Sequence, residues 1–195
     1  MRTSRPLLAL LVAVGLTGLV GCTGEESAPA PVVPTTVAVE DIDLSGVRAV
    51  RADFCERLDE EAIGAVVGGE PRKSDSYSKG DRREVSPGVV DVVNEYGCTY
   101  RRGKRVAQAW LFAQPVTKDD ARALLAERRT TKGCRPAGDL EFGTPGLVQQ
   151  CEGDGVRRTT MAGLFGDGWL TCEAQAPLED AQRWCAAVAL TTGTG

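Results

Sequence analysis

Cys22 sits in the segment of this sequence that most sharply specifies a reaction. It closes the run Leu19-Val20-Gly21-Cys22. A bulky aliphatic stands at −3, a small residue borders the cut, and a thiol follows that can carry diacylglycerol. These are the residue types a bacterial lipoprotein signal peptidase requires. Upstream, Arg2 and Arg5 form a positive n-region and Leu7 to Val14 is unbroken apolar sequence. That stretch is far short of the roughly 20 residues a spanning helix needs, so it reads as a removed leader. Acyl chains contribute about 0.8 kcal/mol per buried methylene, so two or three of them hold a protein far better than one. The expectation is a signal peptide over 1–21 and a lipid-anchored (palmitate-bearing) protein on the outer face of the bacterial cytoplasmic membrane.

Lipid consumes one of seven cysteines. Cys55, Cys98, Cys134, Cys151, Cys172 and Cys185 remain, an even number in an oxidising compartment, which argues for three disulfides. No pair has C-x-x-C spacing, so zinc ribbons and thioredoxin-like redox sites gain no support. Six thiols allow about 15 pairings and spacing cannot choose among them. The preferred set is the nearest-neighbour one, 55–98, 134–151 and 172–185, each worth about 3–4 kcal/mol in the chain-entropy model.

Other motifs are partial. Ser76-Tyr77-Ser78-Lys79 matches the S-x-x-K of penicillin-binding enzymes, whose serine must open a helix in front of a Lys-Thr-Gly strand. Here the motif falls in a polar stretch and the nearest tripeptide is Thr131-Lys132-Gly133. Asp41-x-Asp43-x-Ser45-Gly46 matches the first half of a calcium loop, but position 12 holds Ala52 in place of the bidentate Glu. Turn formation explains it equally well, and no metal or other cofactor is expected. Arg101, Arg102, Lys104 and Arg105 cluster at one hairpin tip and Arg157-Arg158 at a second, with Arg128, Arg129 and Lys132 beyond. If they face one way they form an anion surface for lipid headgroups or acidic wall polymers; solvated turn and helix ends are the plainer alternative. Trp110, Phe112, Phe165 and Trp169 either line an apolar cleft or simply fill the core. Glu152 and Asp154 are the carboxylates to consider for an envelope hydrolase.

The chain has no histidine, which removes imidazole-based triads and His-containing zinc sites. Without residues 1–21 it keeps 21 Lys+Arg against 27 Asp+Glu, a formal −6. That sign argues against nucleic acid as a partner. No catalytic residues are assigned and a non-enzyme is expected. Its expected role is that of a ligand-binding or sensor-like module, a monomer attached to the membrane; the alternative is a protein that touches an envelope protein or wall polymer.

The elements that must position these groups follow from periodicity. Residues 22–45 form a Pro-rich tether (Pro29, Pro31, Pro34) that at about 3.1 Å per residue reaches some 60 Å. A single domain is expected over 46–191, and a flexible tail over 192–195. Phe54 to Val67 reads as a helix with Asp53 near its start and Gly68-Gly69 at its end. Residues 70–88 read as a long mobile loop, followed by a short strand at Val89–Val93. A hairpin of Tyr96–Tyr100 and Arg105–Ala113 turns near Gly103. Thr117 caps a helix to about Arg129. Leu147–Cys151, Val156–Phe165 and Trp169–Ala174 are strands joined by Gly-Asp-Gly turns, and Ala181–Leu190 is the last helix. The order α-β-β-α-β-β-β-α gives an α+β fold, an antiparallel sheet with helices packed on one face, stapled by disulfides.

The Phe54-Cys55-x-x-Leu58 helix, Gly68-Gly69, Tyr96-Gly97-Cys98-Thr99-Tyr100 and Trp184-Cys185, behind a lipobox and Pro-rich tether, resemble small actinobacterial lipoproteins classed as a domain of unknown function. There a Cys-x-x-Leu-Leu helix precedes a Gly-Cys-x-Trp strand; this chain has Asp59 after Leu58, and Tyr100 as the aromatic. A looser similarity extends to the extracellular sensor domain of a mycobacterial Ser/Thr kinase and related lipoproteins. The resemblance spans roughly residues 48–190. It implies a disulfide-stapled α+β module with a cleft and transfers no catalytic residues.

Overall fold

A computed structural model describes residues 38–153 and 155–193. The leader, Cys22, the tether up to residue 37, Asp154 and the last two residues lie outside them. Among the described residues no helix is long and apolar enough to cross a membrane.

The architecture is α+β. Among the described residues three helices, α1 (Glu60–Val67), α2 (Lys118–Arg129) and α3 (Leu178–Thr192), accompany nine strands. These are β1 (Lys73–Tyr77), β2 (Arg82–Ser86), β3 (Val89–Val92), β4 (Glu95–Arg102), β5 (Arg105–Phe112), β6 (Cys134–Pro136), β7 (Gly146–Gly153), β8 (Val156–Phe165) and β9 (Gly168–Ala174). Seven form one antiparallel sheet in the order β1-β4-β5-β9-β8-β7-β6, and β2 pairs only with β3.

The fold class is the one the sequence pattern implies, but the helices do not share one face. Side chains alternate across a strand. On β9, Leu170, Cys172 and Ala174 join the larger core with α1 and α3, while Trp169 packs with Val116, Ala121 and Leu125 under α2. Thr171, on the Trp169 side, accepts a hydrogen bond from Arg128 of α2 (3.4 Å). The sheet is therefore covered on both faces, which is why β8 from Thr159 onward and nearly all of β9 are buried without alternation.

Strand β1, with the sequence Lys-Ser-Asp-Ser-Tyr, and strand β2 lie within the stretch read as a loop over 70–88, while β3 falls on the short strand expected at Val89–Val93. An edge strand facing water needs no apolar alternation, so its sequence carries no strand signal. The first helix is also shorter than its periodicity suggests. A 3-10 turn, Cys55–Arg57, ends at an extended Leu58, and α1 starts only after Asp59. The Asp59 carboxylate accepts from the N–H groups of Glu61 (2.6 Å) and Ala62 (3.1 Å), so local capping prevails over continuous periodicity. Phe54 and Leu58 are buried all the same. Gly68 ends α1 in the left-handed conformation (φ 80°), which a side chain would resist.

The disulfides are the nearest-neighbour set. Cys55–Cys98 pins the 3-10 turn to β4 and Cys172–Cys185 ties β9 to α3, with Cα–Cα distances of 5.8 and 5.7 Å. Cys134–Cys151 joins directly opposed residues of β6 and β7. Beside the first bridge, the Tyr100 hydroxyl donates to the Cys55 carbonyl (3.2 Å) and the ring meets Trp184 edge-on at 5.8 Å.

Candidate functional site

A hollow with a volume of about 630 Å³ falls within the range of small-molecule sites. It lies at the end of the sheet where β8 turns into β9. Residues 40–48, the 139–144 segment and Lys118 at the start of α2 enclose it. Backbone bonds fix the first wall: Ala49 N–H donates to the Phe165 carbonyl (3.1 Å) and Val50 N–H to that of Thr192 (2.9 Å). The buried side chains of Leu44, Leu140, Leu164 and Phe165 form apolar lining. The rim is acidic. Glu40, Asp41, Asp43, Asp139 and Glu141 stand against Arg48 and Lys118.

The partial calcium motif belongs to this rim and serves a turn. Asp43 accepts from the Ser45 N–H (2.8 Å), and the Ser45 hydroxyl and backbone together hold its carboxyl below the usual range. Among the described residues no three His, Cys, Asp or Glu side chains are grouped to hold a metal ion.

The four aromatics proposed for a cleft are separated by strand alternation. Phe165 is buried in the α1–α3 core, 5.0 Å edge-on from Phe142, with part of its surface under the hollow. Trp169 is fully buried in the α2 cluster and half-buried Phe112 packs against that cluster. Trp110 stands on the α2 side, opposite Gly97 on β4 and Thr171 on β9. Gly97 matters here because the Tyr77 ring lies on it: a Cβ would fall 2.4 Å from ring atoms.

The same alternation divides the basic residues. Arg101 and Arg158 flank a small recess on the α2 side with Gln108, Glu173 and Gln175. Glu173, whose side chain is 14% exposed, accepts from Gln108 Nε2 (2.9 Å) and Thr160 Oγ1 (3.1 Å), with Arg158 at 3.7 Å. Cross-strand pairing extends this group into a row of Thr99, Gln108, Glu173, Thr160 and Gln149 over five strands. Only the strand period could have flagged it in the sequence. Arg102 and Arg105 lie on the other side, against Gly69 and Gly68 at the C-terminal end of α1, where a cation meets unpaired carbonyls favourably. Arg157 pairs with Glu152 at 3.0 Å, which occupies that carboxylate; its proposed companion Asp154 is not among the described residues. Lys104 stands at the turn between β4 and β5.

The S-x-x-K residues do not form a penicillin-binding arrangement. Ser76 lies in β1, paired with Cys98, and no helix begins there. Ser78 donates instead to Asp53. Between them the Tyr77 phenol donates to Glu95 (2.7 Å), with the Arg83 guanidinium 4.5 Å above its ring.

The fold and these surfaces define a disulfide-stapled α+β module with an acid-rimmed hollow at one end of its sheet. No protein-family model matches the chain, and no curated protein matches it either.

Proposed function

We propose that this chain is a lipid-anchored, extracytoplasmic binding module, held at the outer face of a bacterial cytoplasmic membrane through Cys22 and acting by binding rather than turnover. The hollow carries the binding part of this reading. It combines apolar lining with five carboxylates against two cations, which suits a ligand with an apolar body and a positive charge. The lipobox and three disulfides support the location, since disulfides persist in oxidising compartments.

Two measurements test the two halves separately. Amide shifts are followed while short Lys-containing peptides and spermidine are titrated in; shifts over 40–48 and 139–144 are expected. At Gly46, on the lining of the hollow, an added Cβ meets no atom within 4 Å, so Gly46→Trp can be introduced there and should abolish those shifts. No shift with any of these probes would overturn the hollow as a site for cations. Mass spectrometry of the mature N-terminus should find Cys22 diacylglycerated, and an unmodified Cys22 would overturn the anchor.

A second reading, an envelope interaction protein, rests on the β2–β3 ribbon. Val85, Val89, Val90 and Val92 are each 51–54% exposed there, on a two-stranded ribbon whose outer edges have no strand partner. Photo-crosslinking from position 90 in intact cells should recover a discrete partner; recovery of none would remove this reading.

A further inference from the structure

Charge is unevenly distributed along the strand direction. The end bearing the 139–144 segment and the β8–β9 turn carries Glu40, Asp41, Asp43, Asp139 and Glu141. The opposite end collects Arg101, Arg102, Lys104 and Arg105 around the β4–β5 turn, with Arg157 and Arg158 just beyond the β7–β8 turn. Among the described residues, Arg101, Arg102, Lys104 and Arg105 have no ion-pair partner. Four cations without a carboxylate partner therefore gather at one end of a chain whose mature net charge is negative. The one carboxylate in the recess between Arg101 and Arg158, that of Glu173, is already held by Gln108, Thr160 and Arg158.

We infer that this basic end is an interaction surface for an extended polyanion, a phosphate-bearing polymer rather than a small anion. The division of the arginines decides the class of partner. Arg101 and Arg158 lie on the α2 side of the sheet, Arg102 and Arg105 lie on the α1 side, and Lys104 stands at the turn between them. No single small anion reaches both sides of a sheet, whereas a polymer drawn across its end meets all of them in turn. The acidic far end repels the same polymer, so the dipole also orients the domain during encounter. This surface is separate from the hollow, and its test does not depend on that site.

The experiment measures binding of long-chain inorganic polyphosphate to the folded domain over a range of salt concentrations, beside orthophosphate and vesicles of phosphatidylglycerol. Polyphosphate should bind with an affinity that falls as salt rises. The double variant Arg101→Glu, Lys104→Glu should lose at least about tenfold in affinity. The control Lys79→Glu, Arg82→Glu makes the same change in net charge at exposed positions away from the basic end and should bind as the parent does. Equal losses in both variants would show a net-charge effect and overturn the surface. Orthophosphate binding as tightly as the polymer, vesicle binding without polyphosphate binding, or no binding at low salt would each overturn the proposal. Circular dichroism of both variants confirms that any loss comes from folded protein.

Discussion

Tyr77 on β1 donates its phenolic proton to the Glu95 carboxylate at 2.7 Å, joining the outermost strand of the sheet to the first residue of β4. The ring covers Gly97 and lies under the Arg83 guanidinium, so one side chain ties β1, β4 and the β2–β3 ribbon together. Burial, then the bond to Glu95, raise the phenol pKa well above its usual value.

That shift gives a pH prediction with a definite sign. A phenol whose folded pKa lies above its unfolded value of about 10 keeps its proton longer in the folded state. Its contribution is complete below about pH 10 and is lost as pH rises beyond it. Urea unfolding should therefore show stability falling as pH rises from about 10 toward 12. Tyr77→Phe should cost about 1 kcal/mol at pH 8 and flatten the alkaline decline. Some decline should remain, because burial also raises the Tyr100 phenol. An unchanged alkaline slope in the variant would show that Tyr77 is not its source.

The three disulfides should differ in their resistance to reductant, because their burial differs. Cys172 and Cys185 are both 0% exposed, whereas Cys134 and Cys151 are each partly exposed where β6 edges the sheet. A thiolate must reach a sulfur to exchange with it. Graded dithiothreitol with alkylation and mass spectrometry should label Cys134 and Cys151 first and Cys172 and Cys185 only on unfolding. Replacing Cys172 and Cys185 together by Ala should cost about 3 kcal/mol. The same change at 134 and 151 should cost less, since the strand it retains is three residues long and lies at the edge of the sheet. The reverse labelling order would show that burial does not control access.

Much of this fold is legible because turn chemistry and alternation agree. Gly103 and Gly166 both take positive φ in the turns expected of them, and the strands on either side follow. What was hidden was hidden for physical reasons. Polar β1 lies at an edge and has no apolar face to display. The pairs Leu164-Phe165 and Trp169-Leu170 are buried on opposite faces, so adjacent apolar residues there report a sheet covered on both sides, a signal easily read as a single aromatic patch. Neighbouring arginines point apart for the same reason. The hollow is assembled from segments distant in the chain, and no local pattern encodes such a meeting.

The start of α1 offers a direct test of local against periodic signals. Periodicity alone places a helix from Phe54 with Asp53 near its start, yet Asp59 supplies the cap and Asp53 accepts from the Ser78 hydroxyl. Removing an N-cap carboxylate leaves N–H groups of the first turn unpaired and typically costs about 1 kcal/mol. Asp59→Ala should lower stability by about that amount in urea unfolding. Its effect should include more than bond loss, since a cap also marks where the helix begins. Without it, Leu58 can enter a helix continuous with the 3-10 turn that Cys55–Cys98 anchors. Asp53→Ala removes only an exposed hydrogen bond and should cost under about 0.5 kcal/mol. Asp59→Asn, which retains the acceptor, should recover most of the loss. Equal costs for Asp53→Ala and Asp59→Ala would mean that the cap does not set the helix start.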